Sequence, residues 1–123
     1  MHQMDLTIDW AKLEARFKGK RDFVDKLART ALHSQGDSPG KLRQAAGYGD
    51  FEALAFAAHS LKGMSGNLMA DELHTFAARV ELAAKRHETM ALDEAELLAQ
   101  AVERFLACLV IRIGDQAHSP VLG

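Results

Sequence analysis

The sequence predicts an all-α fold, an antiparallel four-helix bundle with two short additional helices near the N-terminus. Composition gives the class: 21 Ala and 16 Leu stand against only 12 Val, Ile and Thr together, so a sheet would lack the branched residues that suit a pleated surface. Proline usage agrees. Only Pro39 and Pro120 occur, which leaves residues 40–119 free of the strongest helix breaker. The third observation is periodicity, because apolar residues recur at helical spacing in six segments separated by glycines and capping residues.

The first predicted helix is short, Asp9 to Phe17, with Trp10, Leu13 and Phe17 on one face, and Lys18-Gly19 interrupts it. The second, Lys20 to Ser34, carries Phe23, Leu27, Ala31 and Leu32 at inward spacing. Gly36-Asp37-Ser38-Pro39 reads as a loop that restarts a helix, Ser38 capping and Pro39 at the first helical position, and the third helix runs from Pro39 to Ala46. Gly47-Tyr48-Gly49 ends it. Asp50 then caps a fourth helix, Phe51 to Leu68, with the cleanest apolar spacing in the chain. Asp71 opens a fifth, Glu72 to His87, with Leu73, Phe76, Ala77, Val80 and Ala84 inward. Asp93 and Glu96 read as a capping box for the sixth, which passes through Leu97, Ala101, Phe105 and Leu109 to Ile113. The bundle therefore covers residues 1–113 and residues 114–123 form a frayed tail. The four longer segments make the bundle, and the first and third helices cap it.

Length and charge exclude several classes of function. A chain of 123 residues with net charge −2 fits one domain and offers no basic surface for nucleic acid. Cys108 is the only cysteine, which excludes an internal disulfide and any Cys-based zinc site; its apolar neighbours make burial its default. The longest apolar run, Phe105 to Ile111, is far shorter than the roughly 20 residues of a membrane span, so a soluble, cytoplasmic protein is expected. Neither a phosphate-binding loop of the GxxxxGK[ST] type nor a GxGxxG is present, so a nucleotide has no visible seat. ExxH and HExxH are also absent, which leaves a metal centre in the bundle without its usual ligand pattern.

The fourth helix carries the one unusual constellation. At about 100° per residue, Phe51, Leu54, Ala58, Leu61, Ser65 and Leu68 form one stripe, and His59 falls roughly 130° from its centre. His59 should face water. Its side of the helix also holds Ala55, Phe56, Lys62, Gly63 and Gly66. Two glycines inside a helix cost about 1 kcal/mol each relative to alanine, and the simplest reason to keep them is access for a partner's backbone to the imidazole. Such a histidine suits a phosphoryl carrier. An imidazole with a reference pKa near 6.5 is largely neutral at pH 7 and has a lone pair ready to attack. Lys62, one turn on, can stabilise the charge gathered in transfer and the phosphohistidine that results.

The run Ala58-His59-Ser60-Leu61-Lys62-Gly63-Met64-Ser65-Gly66-Asn67-Leu68 resembles the signature of histidine-containing phosphotransfer (HPt) domains, roughly A-H-[ST]-L-K-G-x-[AS]-x-x-[LIV]-G. Gly49-Asp50, Leu73 and Val80-Glu81 match further family positions, Phe23, Leu27 and Leu42 fall where its core residues do, and the likeness covers residues 8–113. The resemblance implies that His59 is phosphorylated and relays phosphoryl groups between receiver-domain aspartates in multistep two-component signalling. It also implies response-regulator receivers as partners, a hybrid sensor histidine kinase as a further one, a partner face of Ala55, Phe56, Gly63, Gly66 and Asn67, and a monomer. Magnesium would belong to the receiver, so the chain itself should need no cofactor and no metal, and it would be a phosphotransfer intermediate without ATP site or autokinase activity. The early helical pattern and lack of a long linker suggest a free-standing or trimmed single domain.

Two positions depart from the family pattern. Met69 stands where glycine is common, which bears on the turn after the fourth helix, and Phe56 occupies a usually polar outward position. Phe56 is either an anchor for a partner's apolar helix or a residue packed on a neighbour. Asn67 either bonds locally or orients a phosphoryl group at one remove, Ser65 is a packed small residue, and Met64 and Met69 fill gaps in the core. The other histidines, His2, His33, His74, His87 and His118, read as exposed residues at helix ends and tails. Two other functions fit the same pattern: a non-catalytic helical bundle that binds partners, and a phosphoacceptor fragment of a histidine kinase.

Overall fold

The computed structural model describes residues 8–117. Among them are six helices and no strand: α1 (Trp10–Arg16), α2 (Arg21–Gln35), α3 (Ser38–Gly47), α4 (Phe51–Asn67), α5 (Asp71–Lys85) and α6 (Met90–Ala117). They form a helical bundle in which α4 packs most extensively on α5 and α3 packs on both α4 and α6; α5 and α2 also lie against α6. The core is built from Leu42, Leu54, Leu61, Leu68, Leu73, Leu98, Phe105 and Leu109, all fully buried, each worth about 1.5–3 kcal/mol relative to exposure.

Residues 36–39 are not a loop. Gly36 and Asp37 form a two-residue turn with right-handed helical backbone angles, so α2 passes almost directly into α3, and α3 packs along α4 and α6 instead of capping the bundle. Pro39 lies in the first turn of α3 and has no N–H to give the preceding turn, which accounts for the break between the two helices. The Ser38 hydroxyl does not cap; it donates to Gln35 Oε1, while Gln35 Nε2 donates to Ser60 Oγ at 2.8 Å, tying the turn to α4.

The inward face of α2 also differs from the predicted stripe. Phe23 is exposed and rests on Phe17 with ring centroids 4.8 Å apart, whereas Val24, Asp25, Ala28, Ala31 and Gln35 are buried. Two polar residues can occupy this face because each has a partner: Gln35 as above, and Asp25 with Arg112 of α6, whose Nε donates to Asp25 Oδ1 at 2.8 Å. The same guanidinium donates to Glu14 at 2.7 Å and lies over the Trp10 ring, fastening α1 and α2 to α6.

Helix α6 begins at Met90, three residues before the expected cap. Ala91 and Leu92 N–H bond to Glu88 and Thr89 carbonyls to open it, and Asp93 lies in its first turn. Met90, Ala91 and Leu92 form helix readily, so nothing delays the start. Glu96 pairs with Arg43 of α3 at 2.8 Å instead of closing a capping box. Leu97 is exposed, and Leu98, Val102, Phe105 and Leu109 carry the stripe at spacings of four, three and four. The helix continues to Ala117, past Ile113 and Gly114; residues 118–123, with His118, and residues 1–7, with His2, lie outside the described residues.

Asp50 caps α4 as expected, accepting from Ala53 N–H at 3.0 Å. At the other end of α4, Met69 N–H bonds to Gly66 O and Ala70 N–H to Ser65 O, with Met69 at φ +56°. This doubly bonded C-terminal turn needs a left-handed residue, the conformation glycine adopts at least cost, and that is the physical reason for glycine at this position in the family pattern. Met69 keeps the turn and gives up the glycine. His87 closes α5 in the same way at φ +54°, its ring stacked on Phe51.

Candidate functional site

The site lies on the facing flanks of α4 and α5. Alanines on the buried faces of both helices, Ala57 and Ala58 on α4 and Ala77, Ala83 and Ala84 on α5, let the backbones approach closely. This brings the side chain of Glu81 from α5 up to α4. His59 projects from the middle of α4 with 67% of its side chain exposed, and its Nδ1 is 2.8 Å from Glu81 Oε2. Lys62 Nζ is 2.7 Å from Glu81 Oε1, and Lys85 Nζ is 3.1 Å from Oε2. Three nitrogens therefore converge on one carboxylate that is only 5% exposed.

Burial alone would push the Glu81 carboxyl up, but hydrogen bonds from Lys62, Lys85 and His59 overcome this and hold it at about 2. Glu81 is therefore ionised at neutral pH and can only accept. The proton between it and His59 sits on Nδ1, so that the imidazole, when neutral, has its lone pair on Nε2, the ring nitrogen away from the carboxylate.

The residues predicted for the site divide into two groups. His59 and Lys62 meet at Glu81, and Gly63 beside them is exposed, with nothing beyond its own stretch of helix within 4 Å of where a Cβ would stand. Phe56 is 78% exposed, so it does not pack on a neighbouring helix; it lines a groove between α3 and α4 with Tyr48, Lys41 and Gln44. Ala55 is half-buried against the core. Gly66 corrects the expectation of an open partner face, because a Cβ there would come within 3.2 Å of His74 Nδ1. Its missing side chain makes room for a residue of the protein itself. Asn67 is exposed but lines a hollow with Leu27, Thr30 and Ser34 of α2, eight residues and about 12 Å along the helix from His59. Ser65 is buried as expected, its hydroxyl donating to Leu61 O at 2.7 Å, and Cys108 is half-buried.

Three participants are not apparent from the sequence. Glu81 matches a family position without an evident role, although a carboxylate sharing the face of Ala77, Val80 and Ala84 asks for cationic partners. Lys85, four residues on, completes that cluster. His74 is half-buried, not exposed; its Nδ1–H donates to the Lys62 carbonyl at 2.8 Å and its ring sits over Gly66.

The Hpt domain family matches residues 25–119, more than three-quarters of the chain. The chain belongs to the Hpt domain family. Hpt domains serve phosphotransfer in two-component systems and meet receiver domains and kinases there. No curated protein and no solved structure matches the chain. No helix among the described residues of this Hpt domain is long and apolar enough to cross a membrane.

Proposed function

We propose that this Hpt domain relays a phosphoryl group between receiver-domain aspartates through phosphorylated His59. The observation that carries the reading is the imidazole itself: exposed on a helix flank, held at Nδ1 by an ionised carboxylate, with Nε2 turned away from it and an ammonium alongside. In the accepting direction the Nε2 lone pair attacks phosphorus, the Nε2–P bond forms, and the acyl-phosphate P–O bond breaks with its electron pair leaving on the receiver's aspartate. No proton need move. The ring becomes a phosphoimidazolium whose positive charge lies against Glu81, and Lys62 faces the charge on the phosphoryl oxygens. Reversal of these steps passes the group to the next receiver.

Glu81 is a positioning residue in this scheme, fixing the tautomer and the ring plane. Gly63 and Phe56 lie on the side a receiver must approach, the glycine for clearance and the phenyl ring as an apolar anchor for a transient contact. The receiver would supply magnesium, and the chain would act as an intermediate in a cytoplasmic relay, as a monomer built on an antiparallel four-helix core. Incubation with a phosphorylated receiver should yield an acid-labile, base-stable label that His59→Gln abolishes. Label that persists in His59→Gln, or wild-type protein that binds the receiver and takes no label, would overturn the assignment in favour of another acceptor or of a purely partner-binding bundle.

A further inference from the structure

We infer that Lys85 is a positioning residue for the transfer: it takes over Glu81 Oε1 when Lys62 leaves that oxygen for the phosphoryl group. The inference rests on the phosphotransfer role proposed for His59. Lys62 has two demands on it. Before transfer its ammonium is bound to Glu81 Oε1 at 2.7 Å. After transfer the phosphoryl group hangs from Nε2, on the edge of the ring away from Glu81, so the ammonium must swing outward to meet it.

That movement would strip Oε1 of its donor in a carboxylate that is 5% exposed, and a buried acceptor left unpaired costs free energy even with the phosphoimidazolium on Oε2. The groups facing Glu81 are His59, Lys62 and Lys85. His59 stays on Oε2 through its Nδ1–H. Lys85 is the remaining ammonium, and its geometry suits this role. It springs from α5 four residues after Glu81, so its reach does not depend on α4, and it is 62% exposed, so its head can shift toward Oε1 without unpacking anything. A lone lysine opposite Glu81 would have to choose between carboxylate and phosphoryl group; two lysines remove the conflict.

The test is the equilibrium constant for phosphoryl exchange between the full chain and one phosphorylated receiver, measured for wild type, Lys85→Met, Lys85→Arg, Lys62→Met and the Lys62→Met/Lys85→Met double variant. Lys85→Met should lower the phosphorylated fraction at equilibrium by about fivefold, and Lys85→Arg should restore most of it. In the Lys62→Met background, where no ammonium has to leave Glu81, the second substitution should change the constant by less than about twofold. Urea midpoints of the unphosphorylated proteins separate this from a general loss of stability, which would leave the exchange constant of the folded protein unmoved. Lys85→Met equal to wild type, or an equal effect of it in both backgrounds, overturns the inference. Wild-type protein that takes no label overturns the proposed function and this inference with it, whereas normal wild-type labelling with an indifferent Lys85→Met overturns this inference alone.

Discussion

Two carboxylates in this protein are equally well buried, Asp25 on α2 and Glu81 on α5, and both recruit cations from another helix. They differ in what happens to those cations. Arg112 is only 13% exposed, donates from Nε and Nη2 to two carboxylates and lies over Trp10, so its guanidinium is held on both an edge and a face. Around Glu81 the carboxylate is shut in, but His59 and Lys85 are mostly in solvent and Lys62 partly so. An enclosed cation makes a fastening, while an enclosed anion with open cations leaves nitrogen atoms available to react. Under the proposed relay role, depth of the cationic partner is what separates the fastening from the reactive cluster.

The comparison can be broken at five positions, in descending order of effect. His59→Gln should reduce phosphoryl labelling to background with the urea midpoint little changed, because the side chain removed is largely solvated and Lys62 and Lys85 still hold Glu81; gel autoradiography after acid and base treatment reads the first and a urea titration followed by fluorescence the second. Arg112→Met should do the reverse. It strands Asp25 and Glu14, which should lower unfolding free energy by about 3–5 kcal/mol, yet labelling at a temperature where the variant is folded should match wild type.

Glu81→Gln falls between them, slowing transfer by at least about tenfold through loss of the tautomer-fixing acceptor and changing the acid response. Glu81 is held at about 2 in the folded protein, below its ordinary value of 4.5. Its contribution, of order a few kcal/mol, is therefore complete above the unfolded value and lost as pH falls from 4.5 toward 2. Chemical denaturation across that window should give a shallower acid decline for Glu81→Gln than for wild type. The smallest effects belong to the glycines. Gly63→Ala should stabilise α4 by about 1 kcal/mol and slow transfer from a receiver, since the new methyl group meets only a docking partner. Gly66→Ala should gain less stability, because its methyl group presses on His74, and a shift of the His74 imidazole resonances would report that contact.

The same contrast explains what the sequence could disclose. Helix α4 was legible because local rules suffice for it: a clean apolar stripe, an aspartate cap and an outward histidine. The inward face of α2 was not, since Asp25 and Gln35 look like surface residues until partners 87 and 25 residues away are known. Gly66 misled for a similar reason. Helical angle placed it on the side of His59, and only the packing of α5 brings His74 over it. His59 and Lys62 could be read from one helix, but the carboxylate that joins them belongs to another, and no single-helix pattern supplies it. The early start of α6 was hidden by an acidic pair that looks like a cap and serves instead in the first turn and in an ion pair with α3.

His59 and Glu81 both stand on the interiors of long helices, with no loop contributing to the contact between them. If His59 carries the phosphoryl group as proposed, gaining or losing it should ask only side-chain tips to rearrange, with the backbone as it was. Amide exchange along α4 and α5 should be equally slow in the charged and discharged protein. A downstream receiver would then tell the two forms apart by the covalent mark alone, as a reader tells a stamped ticket from a blank one of the same shape.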